Sequence, residues 1–174
     1  NPDFFEPLHF LGILKIQKND FQSAIKLFSQ AIKLNPRNEY VYLNRGLALF
    51  KIEIFSDALK DFQTSSQLSP RYPEAYFNLA NTYQELSDYK NAVINYDKAI
   101  SFSPEYAEAF NNRGNALQEL GLHDDALLSY KKALEIAPTY AEAYFNCGTL
   151  FQSLKDFKSA IKYFDQAISL QPDF

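Results

Sequence analysis

Proline recurs along this chain at one even step: Pro2, Pro36, Pro70, Pro104, Pro138 and Pro172 stand 34 residues apart, with no gap or insertion. A period of that length marks an array of short supersecondary units, each too small to bury an apolar face alone. The same step carries Ala24, Ala58, Ala92, Ala126 and Ala160, and also Gly12, Gly46, Gly114 and Gly148, with Ala80 in the missing glycine's place. Small residues at a fixed register mark points where two helices approach closely.

The units run over residues 5–38, 39–72, 73–106, 107–140 and 141–174. Residues 1–4 match the close of a unit, as in Gln171, Pro172, Asp173 and Phe174. They read as the end of a preceding repeat, so that 1–174 is one array cut in phase from a longer one. Inside a unit, apolar places fall at helical spacing, as with Tyr76, Leu79, Ala80 and Tyr83. A second set follows in Tyr89, Ala92, Val93, Tyr96, Ala99 and Ile100. The break between them carries Asp20, Asp88 and Asp156 in three units, suited to capping the second helix, and Gly121 in the fourth. Each unit is therefore expected to be two antiparallel helices, with proline punctuating the exit. The rings Phe28, Phe62, Tyr96, Tyr130 and Phe164 recur at one place of the second helix, the pattern of stacked units burying an apolar seam.

The length, the small eighth residue, the alanine at the twentieth place and the terminal proline resemble the tetratricopeptide repeat family across essentially the whole chain. Unit 3 is close to the family pattern. Unit 1 departs from it, with Leu8 for the usual aromatic, Phe10 for a recurrent asparagine and Lys15 at an apolar place. The resemblance implies an all-α fold: a right-handed superhelical solenoid of five helix pairs, with first helices lining the concave face. It also implies a scaffold that binds protein or peptide.

Composition narrows the function classes. A net charge of -4 and a pI near 5.2 argue against nucleic acid, whose binding leans on Lys and Arg, and against membrane surfaces. No apolar run approaches the roughly 20 residues of a membrane span. One cysteine allows no intrachain disulfide and fits a reducing, cytoplasmic compartment. No enzyme, metal or cofactor is expected: His9 and His123 stand far apart, and neither a phosphate-cradling glycine loop nor Cys-His metal spacing is present. His123 takes the place of Phe21, Phe55, Tyr89 and Phe157, which assigns it to packing; His9 is expected in the groove or at the surface. Cys147 aligns with Leu11, Arg45, Leu79 and Arg113 and is expected to fill the core. A buried guanidinium needs a partner. Arg45 is expected to pair with Asp61, whereas Arg113, with only Ser129 at that level, is expected to reach a carbonyl or a neighbouring unit.

A helical wheel turns the second, sixth, ninth and thirteenth places away from the core. These are Glu74, Asn78, Asn81 and Glu85 in unit 3, and Glu108, Asn112, Asn115 and Glu119 in unit 4; Asn44 and Asn146 extend the sixth-place asparagine. Under the family resemblance they form a ladder along the groove, similar to that of O-linked N-acetylglucosamine transferase repeats. Each amide offers both a donor and an acceptor to an extended peptide. Glu85 and Glu119 lie where the helix dipole opposes acid, which points to a basic or neutral ligand. Phe10, Ile13, Tyr40 and Leu47, beside Lys51, make the first two units greasier. The basic members of the family's chaperone-tail clamp are missing. Two other readings remain: the substrate-recognition arm of a larger enzyme such as a glycosyltransferase, and a self-assembling structural array. Because the chain closes on Ala167, Ile168, Leu170 and Phe174 with no polar cap, end-to-end self-association is also expected.

Overall fold

The computed structural model describes residues 4–172, so Pro2, Asp173 and Phe174 lie outside the described residues. Ten helices follow one another there: α1 Phe5–Gln17, α2 Phe21–Leu34, α3 Glu39–Lys51, α4 Phe55–Leu68, α5 Pro73–Glu85, α6 Tyr89–Phe102, α7 Ala107–Glu119, α8 His123–Ile136, α9 Ala141–Ser153 and α10 Phe157–Leu170. Each 34-residue repeat thus carries two helices. The chain forms two compact units, Asn1–Ser87 and Asp88–Phe174.

The turn inside each repeat has a backbone requirement that only one residue advertises. Asn19, Glu53, Ser87, Gly121 and Lys155 all adopt positive φ, between 56° and 75°. This left-handed residue ends the first helix and lets the next N–H reach back five residues. Asp20 N donates to Lys15 O at 2.9 Å, Ile54 N to Leu49 O at 3.0 Å and Leu122 N to Leu117 O at 2.9 Å. The following residue then starts the second helix. Asp20, Asp88 and Asp156 accept there from the backbone N–H of Ser23, Asn91 and Ser159, as expected of caps. Gly121 belongs to the left-handed place and not to the capping place. In its repeat the cap is Leu122, which supplies no side-chain hydrogen bond, and Ile54 does the same in the second repeat.

Packing explains the small residues. Phe28, Phe62 and Tyr130 are wholly buried, each lying against the glycine of its own repeat's first helix. A Cβ on Gly114 would stand 2.6 Å from Cδ1 of Tyr130, so the ring fills the space a side chain would need. In the first unit the clusters around Phe28 and Phe62 take in Val41 and Ala48, and Ala75 and Leu79, from the following first helix. In the second unit Tyr130 clusters with Leu117, Ala126, Cys147 and Leu150. Around Phe28, Phe62 and Tyr130 the core is completed by the following first helix, with every buried ring contributing about 1.5–3 kcal/mol. First helices also touch first helices, α1 with α3 and α3 with α5 in one unit, and α7 with α9 in the other. Within each unit, the second helices touch only first helices among the described residues. The close-set first helices are therefore each unit's inner layer, where a side chain can reach the next repeat. No helix among the described residues is long and apolar enough to cross a membrane.

Candidate functional site

The polar side chains that leave this inner layer are held by a small set of rules. Arg45 forks onto Asp61, with Nε and Nη2 each donating at 2.7 Å, and its Nη1 donates to Ser29 of the preceding repeat at 3.0 Å. The expected pair forms. Arg113 donates through Nε to Asp97 at 2.6 Å and through Nη1 to Ser129 at 2.6 Å. It thus reaches a neighbouring repeat, through a carboxylate and not a carbonyl. Cys147 is fully buried among apolar groups, and burial pushes its thiol up to about 12.

The sixth-place asparagines are all half-buried, and the anchoring of Asn44, Asn78 and Asn146 follows the residue at the fifth place of the repeat before. In the first unit, Asn44 Nδ2 lies 2.9 Å from Nε2 of His9. In the second, Asn146 Nδ2 donates to Oδ1 of Asn111 at 2.9 Å. Both links join residues 35 apart, from one first helix to the next. Asn78 has Leu43 at the corresponding fifth place, and a leucine accepts nothing. Its Nδ2 turns instead to the backbone oxygen of Glu74 in its own helix, at 2.7 Å. His9 therefore belongs to the inner layer. Its ring packs against Phe5 and Phe28, and burial lowers its pKa against the opposing charge of Glu6.

Asn111 is the residue that pattern reading missed. It is wholly buried at a place held elsewhere by His9, Leu43, Phe77 and Phe145. Its Nδ2 donates to Oε1 of Glu142 at 3.1 Å, with the Tyr140 hydroxyl at 3.4 Å and Oδ1 of Asn112 at 3.3 Å, while its Oδ1 accepts from Asn146. The signal available in sequence was two polar residues, His9 and Asn111, in a column otherwise held by Leu43, Phe77 and Phe145. Glu108 and Tyr140 border a recess of about 480 Å³, together with Ala107, Ala137 and Thr139. Burial, then the charge of Glu142, holds the Glu108 carboxyl above its ordinary value.

Asn115 departs from the wheel. Its Oδ1 accepts from the buried Tyr130 hydroxyl at 2.8 Å, a proton that Gln118 Oε1 also approaches at 3.1 Å. The ninth place there flanks the core instead of opposing it, because Tyr130 draws the amide oxygen inward. Asn81 is half-buried on α5. Glu85 and Glu119 are exposed at the ends of α5 and α7, and neither joins an ion pair among the described residues. Of the greasier residues, Phe10 and Tyr40 are exposed while Ile13 and Leu47 are half-buried. Within its own unit, each surface brings Asn44 to the layer of Asn78, or Asn112 and Asn115 to that of Asn146. Such a face can exchange hydrogen bonds with main-chain groups. Among the described residues no group of three or more His, Cys, Asp or Glu is placed to hold a metal.

The sequence matches the family described as tetratricopeptide repeat over residues 73–139 and 105–173, and that described as TPR repeat over residues 12–52. Among solved structures, one of the MamA protein is 27% identical with a TM-score of 0.85, covering 92% of this chain and 94% of that one. Another MamA structure is 25% identical with a TM-score of 0.87, covering 99% and 94%. YrrB, described as a TPR protein with an unusual peptide-binding site, is similar in fold at 22% identity and a TM-score of 0.78, covering 96% and 86%.

Proposed function

The chain belongs to the tetratricopeptide repeat family, and from that premise we propose that it is a binding scaffold that holds an extended peptide segment of a partner protein. The observation that carries this reading is the sixth-place asparagine of the inner layer, present in four repeats and half-buried in each. At Asn44, Asn78 and Asn146 the amide nitrogen is already anchored, so the group cannot swing freely and little ordering entropy is lost when a ligand meets it. Its oxygen and second N–H match the alternating donors and acceptors of a main chain, whatever the ligand's side chains. The peptide lies along Asn44 and Asn78 in the first unit, or along Asn112, Asn115 and Asn146 in the second. Asn81 adds a further amide. The acids Glu85 and Glu119, which join no ion pair among the described residues, favour a basic or neutral segment. The peptide-binding description of YrrB supports the ligand class.

The test uses a randomised library of N-acetylated, C-amidated dodecapeptides, selected on the full chain, with the best binder measured by calorimetry. Asn78→Ala with Asn112→Ala should weaken that binder by about 1–3 kcal/mol, one ordinary hydrogen bond per amide. Circular dichroism should show a nearly unchanged melting temperature. Undiminished affinity would move the site away from the inner layer.

A further inference from the structure

We infer that His9 and Asn111 are positioning residues: each fixes, from one repeat upstream, the asparagine that meets the ligand, Asn44 for His9 and Asn146 for Asn111. The inference rests on the reading of the inner layer as a peptide-binding face and names what organises it.

Two independent places show the same geometry. In each, the side-chain nitrogen of a sixth-place asparagine sits 2.9 Å from an acceptor at the fifth place of the preceding repeat. The acceptors differ chemically, an imidazole nitrogen and an amide oxygen, yet they serve the same atom. Where the fifth place offers no acceptor, at Leu43, the asparagine bonds to its own helix instead. The amide of Asn78 is therefore oriented by α5 alone, whereas those of Asn44 and Asn146 are oriented by the neighbouring helix.

Burial says why this matters at Asn111. An apolar side chain would cost less at a wholly buried place, as Leu43 at the same position in the second repeat attests. Asn111 instead saturates its amide with Glu142, Tyr140, Asn112 and Asn146, so its polar groups are all engaged. Two of those partners, Glu142 and Asn146, belong to the following repeat, and Tyr140 closes Asn111's own. The network therefore sets the orientation of α9's polar side chains relative to α7. With its nitrogen committed, Asn146 presents its carbonyl oxygen, which selects a ligand N–H at that point. His9 acts on Asn44 in the same sense only while its Nε2 is unprotonated, because a protonated ring has no acceptor.

The experiment uses the full chain and the best dodecapeptide selected as above. Asn111→Leu takes the residue that the second repeat carries at this place and should remain folded. The side-chain amide protons of Asn146 should then lose their protection from solvent exchange in nuclear magnetic resonance spectra, and the peptide should bind about three- to tenfold more weakly, the loss of one oriented hydrogen bond. His9→Leu should do the same to Asn44, and His9→Asn, which restores an acceptor, should not. Unchanged protection of Asn146 in Asn111→Leu overturns the inference directly, without reference to any ligand. If Asn44→Ala and Asn146→Ala weaken the peptide but Asn111→Leu and His9→Leu do not, the face binds and the positioning role is wrong. If neither alanine variant weakens it, the binding face itself is misassigned, and the exchange measurement alone decides the orientation.

Discussion

Arg45 and Arg113, 68 residues apart at the same place of two repeats, hold the same two kinds of partner in exchanged positions. Arg45 takes its carboxylate, Asp61, from its own repeat and its hydroxyl, Ser29, from the preceding one. Arg113 takes its hydroxyl, Ser129, from its own repeat and its carboxylate, Asp97, from the preceding one. Each arrangement supplies one compensating charge and one neutral acceptor to a guanidinium that lies mostly out of water.

The exchange predicts a rescue. Asp61→Ser alone should destabilise the chain by about 1–3 kcal/mol, because the guanidinium loses its compensating charge while part of it still reaches solvent. Adding Ser29→Asp recreates the arrangement around Arg113 and should recover most of that loss. Urea denaturation of the wild type, the single variant and the double variant measures both steps. A double variant no more stable than Asp61→Ser would show that the two repeats are not interchangeable at this site.

Acidification should weaken the fold through His9. Burial holds its folded pKa below the ordinary value of 6.5, so as pH falls the unfolded chain takes up the proton first. Stability is therefore complete above 6.5 and declines as pH drops from there toward the folded pKa. Glu6 on the same helix opposes this shift; from α2 the ring meets Phe28, and from α3 Asn44. Melting temperatures from pH 7 to pH 5 should fall less steeply in His9→Asn than in the wild type.

Two glycines should respond to alanine for different reasons. At Gly121 nothing lies within 4 Å of a new Cβ, so the penalty is only that of a left-handed backbone, about 1–2 kcal/mol. At Gly114 the backbone is helical and the new methyl meets the buried Tyr130 ring, an overpacking that costs about 1–3 kcal/mol and disturbs the ring's hydrogen bond to Asn115. Tyr130→Phe should restore some room for motion in Gly114→Ala and do nothing for Gly121→Ala. Thermal unfolding of the four variants separates the two causes.

Cys147 should be inert while the chain is folded. Its thiol, raised to about 12 by burial, holds little thiolate at neutral pH, and the residue is closed to solvent. Modification by an aromatic disulfide reagent should follow the urea unfolding curve. Fast labelling in native buffer would place the thiol at the surface.

The repeat, its two helices and its seam of buried rings were legible because periodicity reports directly on which faces are buried, whereas the seating of each ring on a glycine emerged from the packing. Arg45 with Asp61 was legible too, since both lie at one level of one helix pair. Arg113 was half legible: its own repeat offered too little, but the choice of Asp97 required the packing of α6 against α7. Asn111 was hidden, because its importance depends on the 35-residue offset between touching first helices, which no single repeat contains. Asn115 misled because a wheel treats side chains as radial, whereas a short amide can lean back to a hydroxyl beside the core. Four of the five left-handed turn positions, held by Asn19, Glu53, Ser87 and Lys155, carry no glycine to announce them.

The link between a fifth-place acceptor and the asparagine one repeat downstream bears on how such arrays diversify. Duplication or deletion of a repeat would leave each helix pair intact while giving the next one a new upstream neighbour. An amide anchored across the boundary could then revert to its own helix, as at Asn78, or acquire an anchor it lacked. Inheritance of this chain's polar inner face thus depends on the order of the modules, and a repeat moved by recombination alters the side-chain contacts of one it did not replace.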